Sequence, residues 1–231
     1  MRLPKVLTSV HKWIGLVIGV QVVLWVAGGL VMSAFPIELV RGETQSAQAK
    51  PVAIDAAEFR ADLRVVLAGQ GPFTALRTVR VAGRLYFEAQ RGDSPSVLID
   101  AMDGSLLDGL DEATARAVAV SDFTGDGSVI SATLLDERIS EYRGALPVWQ
   151  VRLGDARDRT IYVSARNGQV LARRNDIWRL YDFFWMLHIM DYRERVDFNH
   201  PLLITASAVA LALAATGVWL LFYRIRIGKP A

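Results

Sequence analysis

The chain has 231 residues, 26 basic against 24 acidic side chains, no cysteine, and a hydrophobic share of 52%. That length holds one or two small domains, and the missing cysteine excludes disulfides, iron–sulfur ligation and thiolate zinc sites. A net charge of +2 with no basic patch interleaved with aromatics excludes a nucleic-acid partner.

Residues 1–13 carry Arg2, Lys5 and Lys12 and no acid. Residues 14–35, IGLVIGVQVVLWVAGGLVMSAF, contain no charge and exceed the ~20 residues that cross a bilayer as a helix. The run is also longer than the 7–15 apolar residues of a signal peptide, so a retained anchor is expected. Residues 201–223, PLLITASAVALALAATGVWLLFY, are uncharged as well, and 224–231 carry Arg224, Arg226 and Lys229 without an acid. Excess Lys and Arg mark cytoplasmic flanks, so both tails (1–13 and 224–231) are placed in the cytoplasm. Removing these six from the 26 leaves 20 basic against 24 acidic residues, a middle section near −4.

The middle reads as α+β and as a repeat. Residues 55–68, DAAEFRADLRVVLA, have helical spacing of apolar residues, and TVRVAG, RLYFEAQ and SVLIDAMDGSLL alternate as strands. DEATARAVAVS (111–121) is a second helix, followed by the strands VISATLLD, LPVWQVRL and TIYVSARNGQVLA. VLIDAMDGSLL (97–107) lies over IYVSARNGQVL (161–171) at an offset of 64, which superposes Asp103-Gly104 on Asn167-Gly168. Both dipeptides suit hairpin turns with positive φ. The expectation is therefore two units of one helix and one small antiparallel sheet, 36–110 and 111–175.

DFFWMLHIMDY (182–192) is apolar nearly all round but too short to span. The segment 176–199 is expected to be an interfacial helix and turn, lying at the membrane surface or on top of the helices, with Trp185 and Tyr192 at headgroup depth. Pro201 suits the first helical position of the second span, which makes His200 its N-cap.

A short helix and a small sheet ending in "D-x-x-x-G-x-x-L", as Asp100 to Leu107 read, resemble the PepSY module. The flanks HKWIGLVIGVQVVLWVAGGLVMSAFPIELVRGE and LYDFFWMLHIMDYRERVDFNHPLLI closely resemble the membrane segments of PepSY-associated transmembrane proteins. The likeness covers nearly the whole chain and is strongest at its ends. It implies a membrane α plus α+β protein, with two transmembrane helices flanking a periplasmic domain, in the inner membrane of a bacterium. Larger members resemble two such units fused into a four-helix bundle, and some bind haem and reduce ferric siderophores. Haem b and ferric reduction are thus implications of the resemblance.

The three histidines are His11, His188 and His200. His11 lies at the cytoplasmic end of the first span, and the other two lie near the opposite face. A span separates its ends by ~30 Å, whereas metal–histidine bonds are about 2 Å, so His11 and His200 cannot share one iron. As a pair at one face, His188 and His200 suit axial ligands of a haem, against the plainer roles of helix cap and headgroup contact. His11 shares a helical face with Gly15 and Gly19, whose spacing permits close approach of a helix or a flat macrocycle. Since no second histidine exists on that side, a bis-histidine haem there requires another copy, which predicts a homodimer of four helices. Arg41 and Arg179, just outside the membrane, are candidates for haem propionates, or for salt bridges to Glu43, Asp176 or Asp182. Gln21 is expected to bond between helices, Trp25 to pack on lipid or the bundle, and the small residues Ala206 to Gly217 to leave room for packing or ligand.

No nucleophile–base pair, phosphate loop or dinucleotide fingerprint occurs. The leading expectation is a haem-dependent electron carrier reducing a periplasmic ferric complex or siderophore. The rival is a membrane-anchored PepSY module that binds a peptide or a periplasmic protein partner, such as a peptidase or envelope transporter. A purely structural accessory subunit is the third reading.

Overall fold

The structure, a computed structural model, describes residues 3–47, 53–68, 72–94 and 96–227. The chain divides into two compact units, a helical one of residues 1–36 and 180–231 and a soluble one of residues 37–179. The side chains of Arg2, Lys5, Arg224, Arg226 and Lys229 lie outside the described part.

In the helical unit, α1 runs from Leu3 to Ala34 and α6 from Pro201 to Ile227. Thr8–Ala34 and Pro201–Phe222 are long and apolar enough to cross a membrane, and only 6% of either apolar window is buried within the molecule. A core helix of a soluble protein would be covered, whereas Val17 and Leu211 are each 72% exposed. Their length, composition and bare surface suit two membrane-spanning helices. Helix is continuous from Leu3 into the span, because nothing between Lys5 and Trp13 breaks it and Pro4 is tolerated in the first turn.

The soluble unit begins with the short α2 (Ile37–Val40). The predicted helix over 55–68 is two pieces, a single turn at Ala56–Glu58 and α3 (Leu63–Leu67). Two competing caps divide it: Asp55 accepts from Ala57 N–H and Asp62 from Arg64 N–H, so the chain starts a helix twice. Strands β1 (Ala75–Val81), β2 (Arg84–Gln90), β3 (Val97–Asp100) and β4 (Leu106–Leu107) form an antiparallel sheet in sequence order. Helix α4 (Glu112–Asp122), capped by Asp111, precedes the matching sheet of β5 (Val129–Leu135), β6 (Val148–Leu153), β7 (Thr160–Ser164) and β8 (Val170–Arg174).

The offset of 64 is visible in the backbone bonds. Gly104 N–H donates to Asp100 O and Gly168 N–H to Ser164 O, both at 3.0 Å, and each strand is reopened by a bond to Ser105 O or Gln169 O. Gly104 has φ 76° and Gly168 φ 71°, the left-handed region that the DG and NG dipeptides predicted.

One core joins the halves. Ala115, Val118 and Ala119 of α4 meet Val151, Leu153, Ile161 and Val163 of the second sheet together with Val81, Tyr86 and Leu98 of the first. The alternate residues Leu85, Phe87 and Ala89 face α3 instead. With both faces covered, β2 is buried along most of its length. Residues 136–147 cover the far side of the second sheet, where Tyr142 stacks on Tyr162 at 4.6 Å.

Helix α5 (Asp176–Ile189) has its first turn in the soluble unit and the rest in the helical one. Asn175, fully buried, caps it through Oδ1 to Trp178 N–H at 2.7 Å and donates Nδ2 to Leu39 O at 2.9 Å. One side chain thereby ties the entry and the exit of the soluble domain.

Candidate functional site

His11 packs between α1 and α6. Its Nδ1 lies 3.1 Å from Thr216 Oγ1, and its Cε1–Nε2 edge lies against Gly217, where an added Cβ would stand 3.2 Å from Cε1 and 3.6 Å from Nε2. The ring borders a groove of about 540 Å³ lined by Gly15, Gly19 and Val22 of α1 and by Ala210, Ala214 and Gly217 of α6. This volume is in the usual range of ligand pockets, ~300–1,000 Å³. A Cβ at Gly15 or Gly19 would meet nothing within 4 Å. Among the described residues no other helix meets that glycine pair; close approaches fall at Gly217 and at Gly28, where an added Cβ would stand 3.4 Å from Phe184 O.

At the other end of α1, three side chains meet the end of α5. Gln21 Nε2 donates to Leu187 O at 3.1 Å, Trp25 Nε1 to His188 O at 2.8 Å, and His200 Nε2 lies 2.8 Å from Ile189 O. These are carbonyls of the last turn, which lack partners within the helix. In a hydrocarbon setting each must be satisfied by protein. Gln21 is thirteen residues from either end of the Thr8–Ala34 span, so α5 does not merely rest on top of the helices. Its C-terminal end docks alongside the second half of α1, drawn in by these donors. Gln21 bonds between helices as expected; the partner is α5. Trp25, read from sequence as a packing residue, is a donor too.

His188 and His200 both belong to this end of α5, with different partners. His188 sits against Gly28, whose Cβ would lie 3.8 Å from its Nδ1, and that Nδ1 is buried without a hydrogen bond. His200 precedes Pro201 as predicted, and its carbonyl accepts from Ile204 N–H. Its imidazole turns to Ile189 rather than capping its own helix.

The loop between α5 and α6 folds around Asp191. Oδ1 accepts from Arg193 and Glu194 N–H, and Oδ2 from Val196 and Asp197 N–H, at 3.0–3.2 Å. Arg195 turns back to Asp182 at 2.5 Å. Slight burial works to raise the Asp191 carboxyl, but the four N–H groups outweigh it and hold the group down at about 2. A depressed carboxyl stabilises above its ordinary value of ~4, and that contribution disappears as pH falls from there towards 2. Solvent screening keeps it to roughly 1 kcal/mol or less. Asp191→Asn is expected to speed hydrogen exchange at the amides of Val196 and Asp197 at pH 6.5; unchanged exchange there would show that the carboxylate does not organise the loop.

Arg41 is exposed in the turn after α2, its N–H on Ile37 O. Arg179 is engaged within the soluble unit: it pairs with Glu141 at 2.8 Å and Asp158 at 3.4 Å, and donates to Asp158 O at 2.7 Å. These partners differ from those its neighbours in sequence proposed, since Asp182 is taken by Arg195. Sequence reasoning passed over Thr216, Asn175 and Arg159, each of which reaches a residue between 36 and 205 positions away. Among the described residues no group of three His, Asp or Glu side chains could hold a bare metal ion. Histidines placed singly suit the axial position of an iron already held by a macrocycle.

Residues 109–174 match the family model of the peptidase propeptide and YPEB domain, PepSY. This covers α4 and the second sheet; the first sheet repeats the same strand order outside the matched region. The matched residues lie, in chain order, between two helices of membrane-spanning length. Comparison with curated proteins finds no match, and neither does comparison with solved structures.

Proposed function

We propose that this chain is a haem-binding electron-transfer protein of the bacterial inner membrane, with its termini in the cytoplasm and its PepSY-containing domain in the periplasm, where it reduces a ferric complex such as a ferric siderophore. The observation that carries the reading is His11, a single imidazole at the rim of an apolar groove bared by Gly15, Gly19 and Gly217. Haem b, when bound, supplies the one-electron chemistry. His11 holds the iron from one side, and the glycines leave room for a flat group against α1 and α6. A further ligand on this side would come from His11 of another copy, giving a homodimer of four membrane helices as the working form. At the opposite end His188 and His200 are the ligands, and His200 Nε2, committed to Ile189 O, leaves its Nδ1 for iron. Of the two arginines proposed for propionates, Arg41 is exposed and Arg179 is held by two carboxylates.

The test is the absorbance of protein purified from haem-replete cells. A Soret band with sharp reduced bands is expected. His11→Ala should remove about half of the haem, or all of it if the groove holds the only one, and His200→Ala should spare the His11 site. Full haem in both variants would exclude this ligand set. A haem-loaded monomer in mild detergent would exclude the shared site.

The PepSY match favours a second reading, a membrane-anchored module that binds a peptide or protein and thereby regulates a peptidase or transporter. The edge strand β5, with Ile130 61% and Leu134 42% exposed, is a surface for an added strand. A colourless preparation from the same cells would select it.

A further inference from the structure

We propose that Thr216 is a positioning residue that holds His11 in the Nδ1–H form and so presents the Nε2 lone pair to the groove. The identity of what meets that lone pair, a haem iron, rests on the reading above; the role of Thr216 rests on proton counting alone.

A hydroxyl has one proton and two lone pairs. The Thr216 Oγ1 lies 2.8 Å from Ala212 O and 3.0 Å from Leu213 O. Both are backbone carbonyls, which only accept, so the proton of Thr216 is shared between them. Towards His11, 3.1 Å away, Oγ1 has only lone pairs left to offer. The imidazole nitrogen that faces it must therefore donate, which places the proton of the neutral ring on Nδ1. Nε2 is then unprotonated, and it lies on the edge that faces Gly217 in the wall of the groove.

The remaining residues of that groove, Ile18, Val22, Leu213, Val218 and Leu221 among them, are apolar. Among the described residues lining the groove none offers Nε2 a hydrogen bond, so its lone pair is open to a group that enters. The iron of a haem would be a matching Lewis acid, and His11 would hold it through the Nε2 lone pair without loss of a proton. A histidine ligand ordinarily donates its other N–H to an acceptor that fixes the tautomer and raises ring basicity. Thr216 is that acceptor here. It is one helical step from Gly217, so the turn that orients the ring is also the turn that makes room beside it.

The experiment uses the full-length protein in detergent, labelled with nitrogen-15 at histidine. Long-range proton–nitrogen correlation of the haem-free protein should show His11 with a protonated Nδ1 and a bare Nε2. Thr216→Val keeps the shape but removes the acceptor, and should move His11 towards the Nε2–H form; Thr216→Ser should restore the original signal. Titration with iron protoporphyrin IX should then weaken about 10- to 100-fold in Thr216→Val, as for other lost outer partners of ligating histidines, while Thr216→Ser stays near the parent. A protonated Nε2 in the parent protein, or a tautomer indifferent to Thr216→Val, overturns the proposal. If the tautomer responds as expected and the parent takes up no iron protoporphyrin IX, the haem reading fails and the role of Thr216 stands.

Discussion

Arg159→Ala is expected to cost the soluble domain about 3–5 kcal/mol, the range for removing one partner of a buried charge pair. The side chain is only 2% exposed. It donates Nη2 to Gln45 Oε1 at 2.6 Å, lies 3.8 Å from Asp155, and places its guanidinium 4.6 Å from the centre of the Phe123 ring. Burial pushes its pKa down, with Asp155 opposing. Truncation leaves the Asp155 side chain, itself 6% exposed, without its cation and Gln45 without its donor, and opens a void over Phe123. Asp155 keeps the bond from Arg159 N–H at 2.8 Å, which does not depend on the side chain. Arg159→Met should therefore cost clearly less than Arg159→Ala, since it refills the void. Hydrogen exchange of β7 and β8 in the full-length protein measures this. Protection equal to the parent's in Arg159→Ala would mean that the charge is not structural.

Asn175→Ala is expected to cost about 2–4 kcal/mol, combining the loss of a helix cap, ~1 kcal/mol, with a carbonyl left unpaired, ~1–3 kcal/mol. The carbonyl is that of Leu39, next to the buried Val40. Asn175→Ser keeps a cap acceptor for Trp178 N–H but cannot reach Leu39, and should lose roughly half as much. The measurement is again hydrogen exchange, at residues 39–42 and 176–179. If serine is as damaging as alanine, the cap contributes nothing; if alanine is silent, the tie does not exist.

Much of the fold was legible because it follows from short-range pattern. Alternation gave the strands, 111–121 read as helical and holds α4, and the paired glycines 104 and 168 announced both turns. The helix over 55–68 failed because apolar spacing says nothing of two aspartates competing to start it. The site was legible only as residue types. His11, Gly15 and Gly19 share a face by spacing, and they do border one groove. Thr216 reaches His11 from 205 positions away, and no local signal marks it. The contact of α5 with α1 was not legible because its apolar surface was weighed without its final carbonyls. Those carbonyls are a polar end that has to be met, and the donors that meet them are spread over Gln21, Trp25 and His200.

That spread bears on biogenesis. Gln21 and Trp25 leave the ribosome long before the peptide groups they serve, and His200 leaves after them. The first helix therefore enters the bilayer with two idle donors, and only the return of the chain, some 160 residues later, gives them something to hold. A break anywhere in the intervening domain would leave two fragments whose unmet polar atoms are complementary, and co-expressed halves should find each other in the membrane.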